Sequence, residues 1–285
     1  MPDQRGFGLR YVFRGHLRLT TAMHIGGGRG TLSPTDSPVV RTPEGTPFIP
    51  GSSFKGAFRS IVEKLAPSAG LKSCGLIEDY PCVGAPGKTA DAFRERRRGE
   101  DWKEQKLVKE LEEPGRLCAT CRLFGSQFTA SKIQFHDLYL SGGDEAITQI
   151  RDGVAIDRDS EKAVDKRKYD FEVVPANYGF DMTIQLDEPA PEEVALTCIG
   201  ISEYSSGFGQ IGGKRSRGLG KCLLTDLEIF ELDLKNPNIG GDERANRLRR
   251  YLLHQTLQEK MTRAGDPAAF MEEKISSLFA VTGKG

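Results

Sequence analysis

The chain has 285 residues with 40 basic and 40 acidic side chains, a net charge of zero that argues against a general polyanion binder but leaves room for clustered basic residues. Hydrophobic residues at 38% and charged ones at 28% fit a soluble globular protein long enough to bury a core. No apolar run approaches the ~18 residues that span a bilayer and no signal-peptide pattern opens the chain, so a cytoplasmic protein without a membrane partner is expected.

Residues 9–19 alternate, with Leu9, Tyr11, Phe13, Leu17 and Leu19 on one face and Arg10, Arg14, His16 and Arg18 on the other. Period two with one apolar face reads as a half-buried strand. A Gly/Pro-rich loop follows from Gly26 to Gly51. Gly51, Ser52 and Ser53 then open a helical pattern of Phe54, Phe58, Ile61, Val62 and Leu65, with serine a preferred N-cap. Residues 67–125 read as an insertion whose middle, 87–113, holds eight basic and eight acidic residues and a helical stretch with Trp102, Leu107 and Leu111. Residues 132–140 alternate as a strand, and the polar stretch 147–172 suits a protruding hairpin or loop. Strand signals return at 172–186, a helix is expected from Pro191 to Tyr204, a last strand at 222–232 and helix over 242–280. Without the insertions the order is strand, helix, strand, strand, helix, strand, which predicts an α+β, ferredoxin-like (RRM-like) palm.

Three loops concentrate the candidate chemistry. The first runs His24-Ile25-Gly26-Gly27-Gly28-Arg29-Gly30 and then Ser33-Pro34-Thr35-Asp36-Ser37-Pro38-Val39-Val40. Its glycines permit close backbone approach to a ligand, and the prolines two residues either side of Asp36 stiffen it. A turn aspartate capping its own backbone is the plainer reading of Asp36. The second element is the helix start at Ser52 and Ser53, where free amides and partial positive charge suit a phosphate, with Lys55 and Arg59 on one face. An ordinary capped surface helix is the alternative. The third, 207–221, carries six glycines, the basic residues Lys214, Arg215, Arg217 and Lys221, and no acid. Arginine forks match phosphate geometry, and glycines such as Gly212 and Gly213 let backbone amides approach an RNA strand. It is not a nucleotide P-loop, because Arg215 follows Lys214 where Ser or Thr is required.

Six cysteines lie at 74, 82, 118, 121, 198 and 222. Cys74-x7-Cys82 and Cys118-x2-Cys121 bracket the insertion with 35 residues between the pairs. Two such pairs can supply a closed, structural tetrathiolate site for zinc; a redox CxxC or reduced core thiols are the alternatives. Cys198 and Cys222 read as core residues.

Read together, HIGGG, DSPVVRTPEGTPFIPGSSFKGAFR, RLFGS at 122–126 and GGKRSRGLGK resemble the RAMP superfamily of CRISPR-associated proteins. They look most like the repeated backbone subunit of type III effectors, and the zinc-stapled insertion is similar to type III-D-like or III-E-like relatives. The resemblance implies a ferredoxin-like palm, in residues 1–66 and 126–235, with a thumb at about 147–172 near Ile156-Asp157-Arg158; the zinc-binding insertion at 67–125 departs from the simplest family members, and a C-terminal helical extension is expected at 236–285. It also implies that Asp36 cuts target RNA, and that the chain polymerises along a guide RNA. His24, Gly26, Gly27, Ser52, Ser53, Lys55, Arg59, Arg158, Gly212, Gly213, Lys214, Arg215 and Arg217 would meet that RNA. The implied partners are guide CRISPR RNA, complementary target RNA, further copies of the chain or homologous backbone subunits, and the large and small subunits of the complex.

Aspartic acid ordinarily titrates near ~3.9 and is a weak general base at neutral pH. Asp36 is therefore expected to orient the attacking 2′-hydroxyl or to hold a divalent cation, magnesium or manganese, and DNA should not be cut. His24 is open to RNA contact, to packing or to a role as acid; His136 and His254 read as structural. Three functions compete: a guide-scaffolded endoribonuclease using Asp36, a non-catalytic architectural subunit of the same fold, and a guide-processing ribonuclease acting alone. The last would want a general-base histidine, and DSPVV favours the first.

Overall fold

A computed structural model of the chain describes residues 7–27, 35–79, 82–98, 110–111, 113, 115–143, 147–156 and 163–282. Arg158, Gly28 and the helical stretch with Trp102 and Leu107 lie outside the described residues. The fold is mixed α/β around an antiparallel sheet. Its strands are β1 (Leu9–Leu19), β2 (Ile133–Phe135), β5 (Gly179–Asp187), β6 (Cys222–Asp233) and β7 (Thr262–Arg263), in the order β2-β5-β1-β6-β7. Helices α1 (Gly51–Leu65) and α4 (Pro191–Ser205) connect β1 to β2 and β5 to β6. A separate hairpin pairs β3 (Gln149–Ile156) with β4 (Ala163–Val173). The insertion carries α2 (Lys88–Arg98) and α3 (Ala119–Phe124), and the C-terminal part carries α5 (Gly241–Leu253), α6 (Leu257–Lys260) and α7 (Pro267–Thr282). Among the described residues no helix is long and apolar enough to cross a membrane.

The alternation of β1 sets the layers. Tyr11, Phe13, Leu17 and Leu19 are buried in the main core with Phe54, Phe58, Leu196, Ile201 and Tyr204 of the two helices. Val12, on the other face, packs with Phe230, Leu232, Leu234 and Met261 beneath the C-terminal segment. Phe58 stacks on Tyr204 at 5.9 Å between ring centroids, and Phe54 meets the same ring edge-on at 5.1 Å. Each such buried aromatic stabilises the fold by roughly 1.5–3 kcal/mol.

Three segments differ from their sequence patterns, each for a local reason. The 132–140 strand is regular only over Ile133–Phe135, and single bridges at Leu138 and Leu140 continue it. Between them Asp137 turns away so that its Oδ1 accepts from the Gly51 amide at 2.7 Å, capping α1 across the chain. The N-cap position is Pro50, so the two serines fall inside the first turn. The signal at 172–186 divides into the end of β4 and β5 around a turn in which Asn177 takes a left-handed φ of 74°. The 242–280 helix is broken into three, because β7 pairs with β6 and Pro267 starts a new helix.

Helix α4 can lie this close to α1 because position 200 is glycine; a Cβ there would stand 2.2 Å from Phe58 Cζ, inside a ring that is fully buried. Gly200→Ala would gain about 1 kcal/mol of helix propensity, and overpacking opposes it with about 1–3 kcal/mol. We expect a net loss of stability, read as a lower urea midpoint at unchanged m-value; a midpoint at or above wild type would show that the Phe58 ring yields freely.

Candidate nucleic-acid interface and metal centre

The first glycine loop is folded back on itself and onto two other segments. Gly27 donates to the Pro38 carbonyl at 3.0 Å and Val40 to the Ile25 carbonyl at 2.9 Å, with Gly26 bridging Val39. A Cβ on Gly27 would lie 3.1 Å from Val40 Cα, so glycine is what lets the two arms touch. His24 stands behind this loop, 6% exposed. Its Nδ1 lies 2.7 Å from the Glu172 carbonyl, which can only accept, so Nδ1 carries the proton. Nε2 is then the acceptor for Ser37 Oγ at 3.2 Å. The ring also meets Phe171 edge-on at 5.7 Å. The His24 carbonyl accepts from the Gly213 amide at 2.8 Å, and Gly212, at φ 83°, passes so close that a Cβ would sit 2.3 Å from that oxygen. Both ring nitrogens are used inside the protein.

Asp36 is exposed, at the point where this loop docks on the end of β4. Its amide donates to Asp170 Oδ1 at 2.6 Å, and the Asp170 amide donates back to Asp36 Oδ2 at 3.3 Å. Glu172 continues the contact, its amide donating to the Ser37 carbonyl at 3.0 Å and its carboxylate accepting from the Val39 amide at 2.9 Å. Arg41 Nη2 at 2.5 Å and the Thr148 hydroxyl reach the same carboxylate. The β3–β4 hairpin therefore carries the Asp36 segment, while Met23 and Val174 join the hairpin to the sheet through paired 2.8 Å backbone bonds.

The glycine-rich basic loop faces the same hairpin. Lys214, at a left-handed φ of 58°, places Nζ over the Phe171 ring at 4.3 Å and the Tyr169 ring at 5.7 Å. Arg217 reaches the Tyr169 hydroxyl, and Arg215 is exposed. Beside Arg215 the aromatic ring of Phe208, 74% exposed, borders a cavity of about 240 Å³ with Ile61 and Lys64. Sequence reasoning passed over Phe208, although a phenylalanine inside a glycine-rich basic loop was a visible signal.

Lys55 and Arg59 are directed elsewhere, toward the insertion. Lys55 Nζ donates to Ser131 Oγ at 2.8 Å, and burial with the neighbouring Arg59 lowers its pKa. Arg59 pairs with Glu63 at 2.7 Å, donates to the Gly125 carbonyl at 3.3 Å and approaches Cys121 Sγ at 3.9 Å. With Arg94, Ser126 and Gln127 they line an open cavity of about 880 Å³, whose rim also holds Glu78 and Asp91. Ser52 is exposed and Ser53 half-buried at the head of α1.

Cys74, Cys82, Cys118 and Cys121 converge, all buried, with their sulfurs within 4.8 Å of one another. The Cys74–Cys121 separation of 3.5 Å excludes a disulfide, whose bond is about 2.05 Å. Cys82 Sγ accepts from the amides of Cys118 at 3.3 Å and Gly84 at 3.4 Å, as a thiolate ligand would. A Cβ on Gly84 would lie 2.5 Å from Cys121 Sγ, so glycine admits the sulfur. Burial pushes the Cys74 thiol up to about 11, while hydrogen bonds from Cys121 and Cys82 hold Cys118 well below the thiol range. Val83, Phe93, Leu111 and Leu117 enclose the cluster in its own small core. Four buried sulfurs with amide support can hold a metal ion. Cys198 and Cys222 are buried in the main core, as their sequence positions implied.

A family model described as the RAMP superfamily matches residues 16–223, from β1 to the start of β6. The chain belongs to the RAMP superfamily. Its relatives include a protein of Streptococcus thermophilus named CRISPR system Cms endoribonuclease Csm3, 24% identical over 238 residues, covering 76% of this chain and 87% of the relative. A Methanocaldococcus jannaschii protein of the same name is 25% identical over 225 residues, covering 78% and 81%. One from Enterococcus italicus is 49% identical over 53 residues, 18% of this chain and 25% of its own. The RAMP match thus spans both glycine loops, the hairpin and the cysteine-bearing insertion.

The Glu172 carboxylate is where this RAMP loop and the hairpin are locked together. Burial would raise its pKa, but hydrogen bonds from Thr148, the Val39 amide and Arg41 outweigh that and hold it low. A carboxyl whose folded pKa is depressed contributes stability above its ordinary value of 4.5 and loses it as pH falls through the lower folded value. Hydrogen-exchange protection of the Val39 amide, corrected for intrinsic rates, should hold above that ordinary value and collapse on further acidification. Protection unchanged through that window would remove Glu172 from the lock.

Proposed function

We propose that this chain is a guide-RNA-binding backbone subunit of a type III CRISPR effector, with Asp36 cleaving the complementary target RNA. The observation that carries the reading is the placement of Asp36: exposed, yet held at both its amide and one carboxylate oxygen by the base of the hairpin. The naming of the relatives as endoribonucleases supports the reaction type. On this reading β1, β2, β5 and β6 with α1 and α4 form a ferredoxin-like palm, an assignment supported by the antiparallel order β2-β5-β1-β6. The hairpin is the thumb, residues 67–125 the insertion and 236–285 the extension. The protein works in the cytoplasm with further copies or homologues of itself and with the large and small subunits of the complex.

The guide phosphates run over the head of α1 at Ser52 and Ser53, the glycine backbones of the two loops, the exposed Arg215 and, on the thumb side, Lys214 and Arg217, while Lys55 and Arg59, turned toward the insertion, would meet RNA only along the cavity they line. Arg158 in the thumb would meet the same RNA. His24 serves from behind, joining the glycine loops to each other. The Asp36 carboxylate orients the target 2′-hydroxyl for attack on the adjacent phosphorus. The 2′-oxygen–phosphorus bond forms as the bond to the next nucleotide's 5′-oxygen breaks; the 2′-hydroxyl gives up its proton and the leaving 5′-oxygen takes one, a reaction that requires RNA and not DNA. The second carboxylate oxygen of Asp36, Oδ1, is an oxygen donor of the kind that magnesium or manganese takes beside substrate phosphates; such a cation would neutralise phosphate charge. Asp36→Ala in every copy should abolish cutting of bound target and leave guide and target affinity nearly unchanged. Undiminished cutting would replace this reading with that of an architectural subunit.

The four sulfurs fit zinc better than a hard cation, because thiolates are soft donors and their arrangement leaves no open position for substrate. Arg59, beside Cys121, supplies positive charge next to a centre that would be a dianion. Zinc would pin the insertion to α1 without touching Asp36. We expect one zinc ion per chain in elemental analysis, and chelation or a Cys118→Ser/Cys121→Ser change should speed hydrogen exchange first in 67–125. Protein free of zinc with all four thiols reactive in the folded state would defeat the assignment.

A further inference from the structure

The contact between the Asp36 segment and the thumb has a property that tight docking alone does not require. Main-chain bonds alone could hold this loop to a strand, as the Glu172 amide does by donating to the Ser37 carbonyl at 3.0 Å. At Asp36 the chain instead uses a second aspartate. Asp170 Oδ1 takes the Asp36 amide at 2.6 Å, and the Asp170 amide takes Asp36 Oδ2 at 3.3 Å. The two residues thus close a reciprocal ring in which each side chain holds the other's main chain.

The ring also fixes a direction. With Oδ2 committed to Asp170, the Asp36 carboxylate cannot rotate freely about its Cβ–Cγ bond, and Oδ1 takes no partner among the described residues. One oxygen is tied to the thumb while the other is kept open, and the thumb strand, not the stiffness of the proline-flanked loop alone, sets where it points. The partners are 134 positions apart in sequence, so the arrangement exists only when β4 is in place.

We propose that Asp170 is a positioning residue for Asp36, which holds its amide and thereby aims the free carboxylate oxygen. The proposal rests on the cleavage role given to Asp36 above. Asp170 acts through its acceptor oxygen and its main chain, and its charge is dispensable. Asparagine at 170 would keep the acceptor and remove the charge; alanine would remove both.

The test uses assembled complexes carrying Asp170→Ala, Asp170→Asn or Asp36→Ala in every copy, with guide retention, target affinity and single-turnover cleavage of saturating bound target measured for each. Asp170→Ala should slow the cleavage step by roughly a hundredfold, the scale of an ångström misplacement at a reacting centre, with target affinity unchanged. Asp170→Asn should restore most of the rate. A merely structural role would lower affinity and rate together and would not be rescued by asparagine. Asp170→Ala cutting at the wild-type rate, beside an inactive Asp36→Ala, overturns the positioning role alone. Asparagine as slow as alanine also overturns it, because the charge and not the acceptor would then matter. Asp36→Ala cutting normally brings down the cleavage assignment and this inference together.

Discussion

Four segments that are far apart in sequence meet around one imidazole. His24 donates through Nδ1 to the hairpin strand β4, accepts through Nε2 from the residue after Asp36, and through its own carbonyl holds the amide of Gly213. A buried ring with one donor and one acceptor satisfies two partners only in a single tautomer and orientation, so the bonds fix the ring as much as the ring fixes them. The glycine loop after β1, the Asp36 segment, the base of the β3–β4 hairpin and the basic loop before β6 are therefore joined to one another. Phe171 backs the ring on one side and takes the Lys214 ammonium on its own, which ties the cation of the basic loop to the same strand.

A second unit is organised around sulfur. Arg59 sits between the palm helix and the cysteine cluster, bonded to Glu63 on its own helix and to the Gly125 carbonyl beyond α3. Desolvation works against its charge, but the carboxylate of Glu63 and the nearby thiols more than offset it. The basic face of α1 is therefore shaped by the insertion. The cavity that Lys55 and Arg59 line has one wall from α1 and another from the insertion residues Gly84 and Arg94.

Much of this was legible in the sequence, wherever the signal was periodic or local. The alternation of 9–19 and the i, i+4 phenylalanines of α1 gave correct elements because burial on one face leaves a pattern. The CxxC pair and its distant partner pair pointed to a cluster that the fold does assemble. What stayed hidden was pairing at long range. Nothing near Asp36 announces Asp170 or Glu172, and nothing near Gly51 announces that Asp137 will leave its strand to cap the helix. Serine at 52 and 53 looked like the cap because local preference is all a sequence displays; the real acceptor arrives from 86 residues away. Lys55 and Arg59 share a face as their spacing required, but which way that face points was decided by the insertion.

The five-stranded sheet ends in β2 on one side and β7 on the other, three and two residues long. Open sheet edges are templates for pairing with another chain, and short or interrupted edge strands blunt them. Here one edge is cut off where Asp137 bends away to α1, and the other is closed after two residues before Gly265 and Pro267 turn the chain into α7. β7 covers only Phe230 and Glu231, so among the described residues the outer side of β6 has no strand over Cys222–Glu228, and there a bulge opposite Arg14 and His16 with Asp226 at a left-handed φ of 52° interrupts the edge. Edges blunted in this way disfavour fusion of neighbouring molecules into one continuous sheet, and leave side chains, loops and the β3–β4 hairpin as the surfaces through which any copies would join.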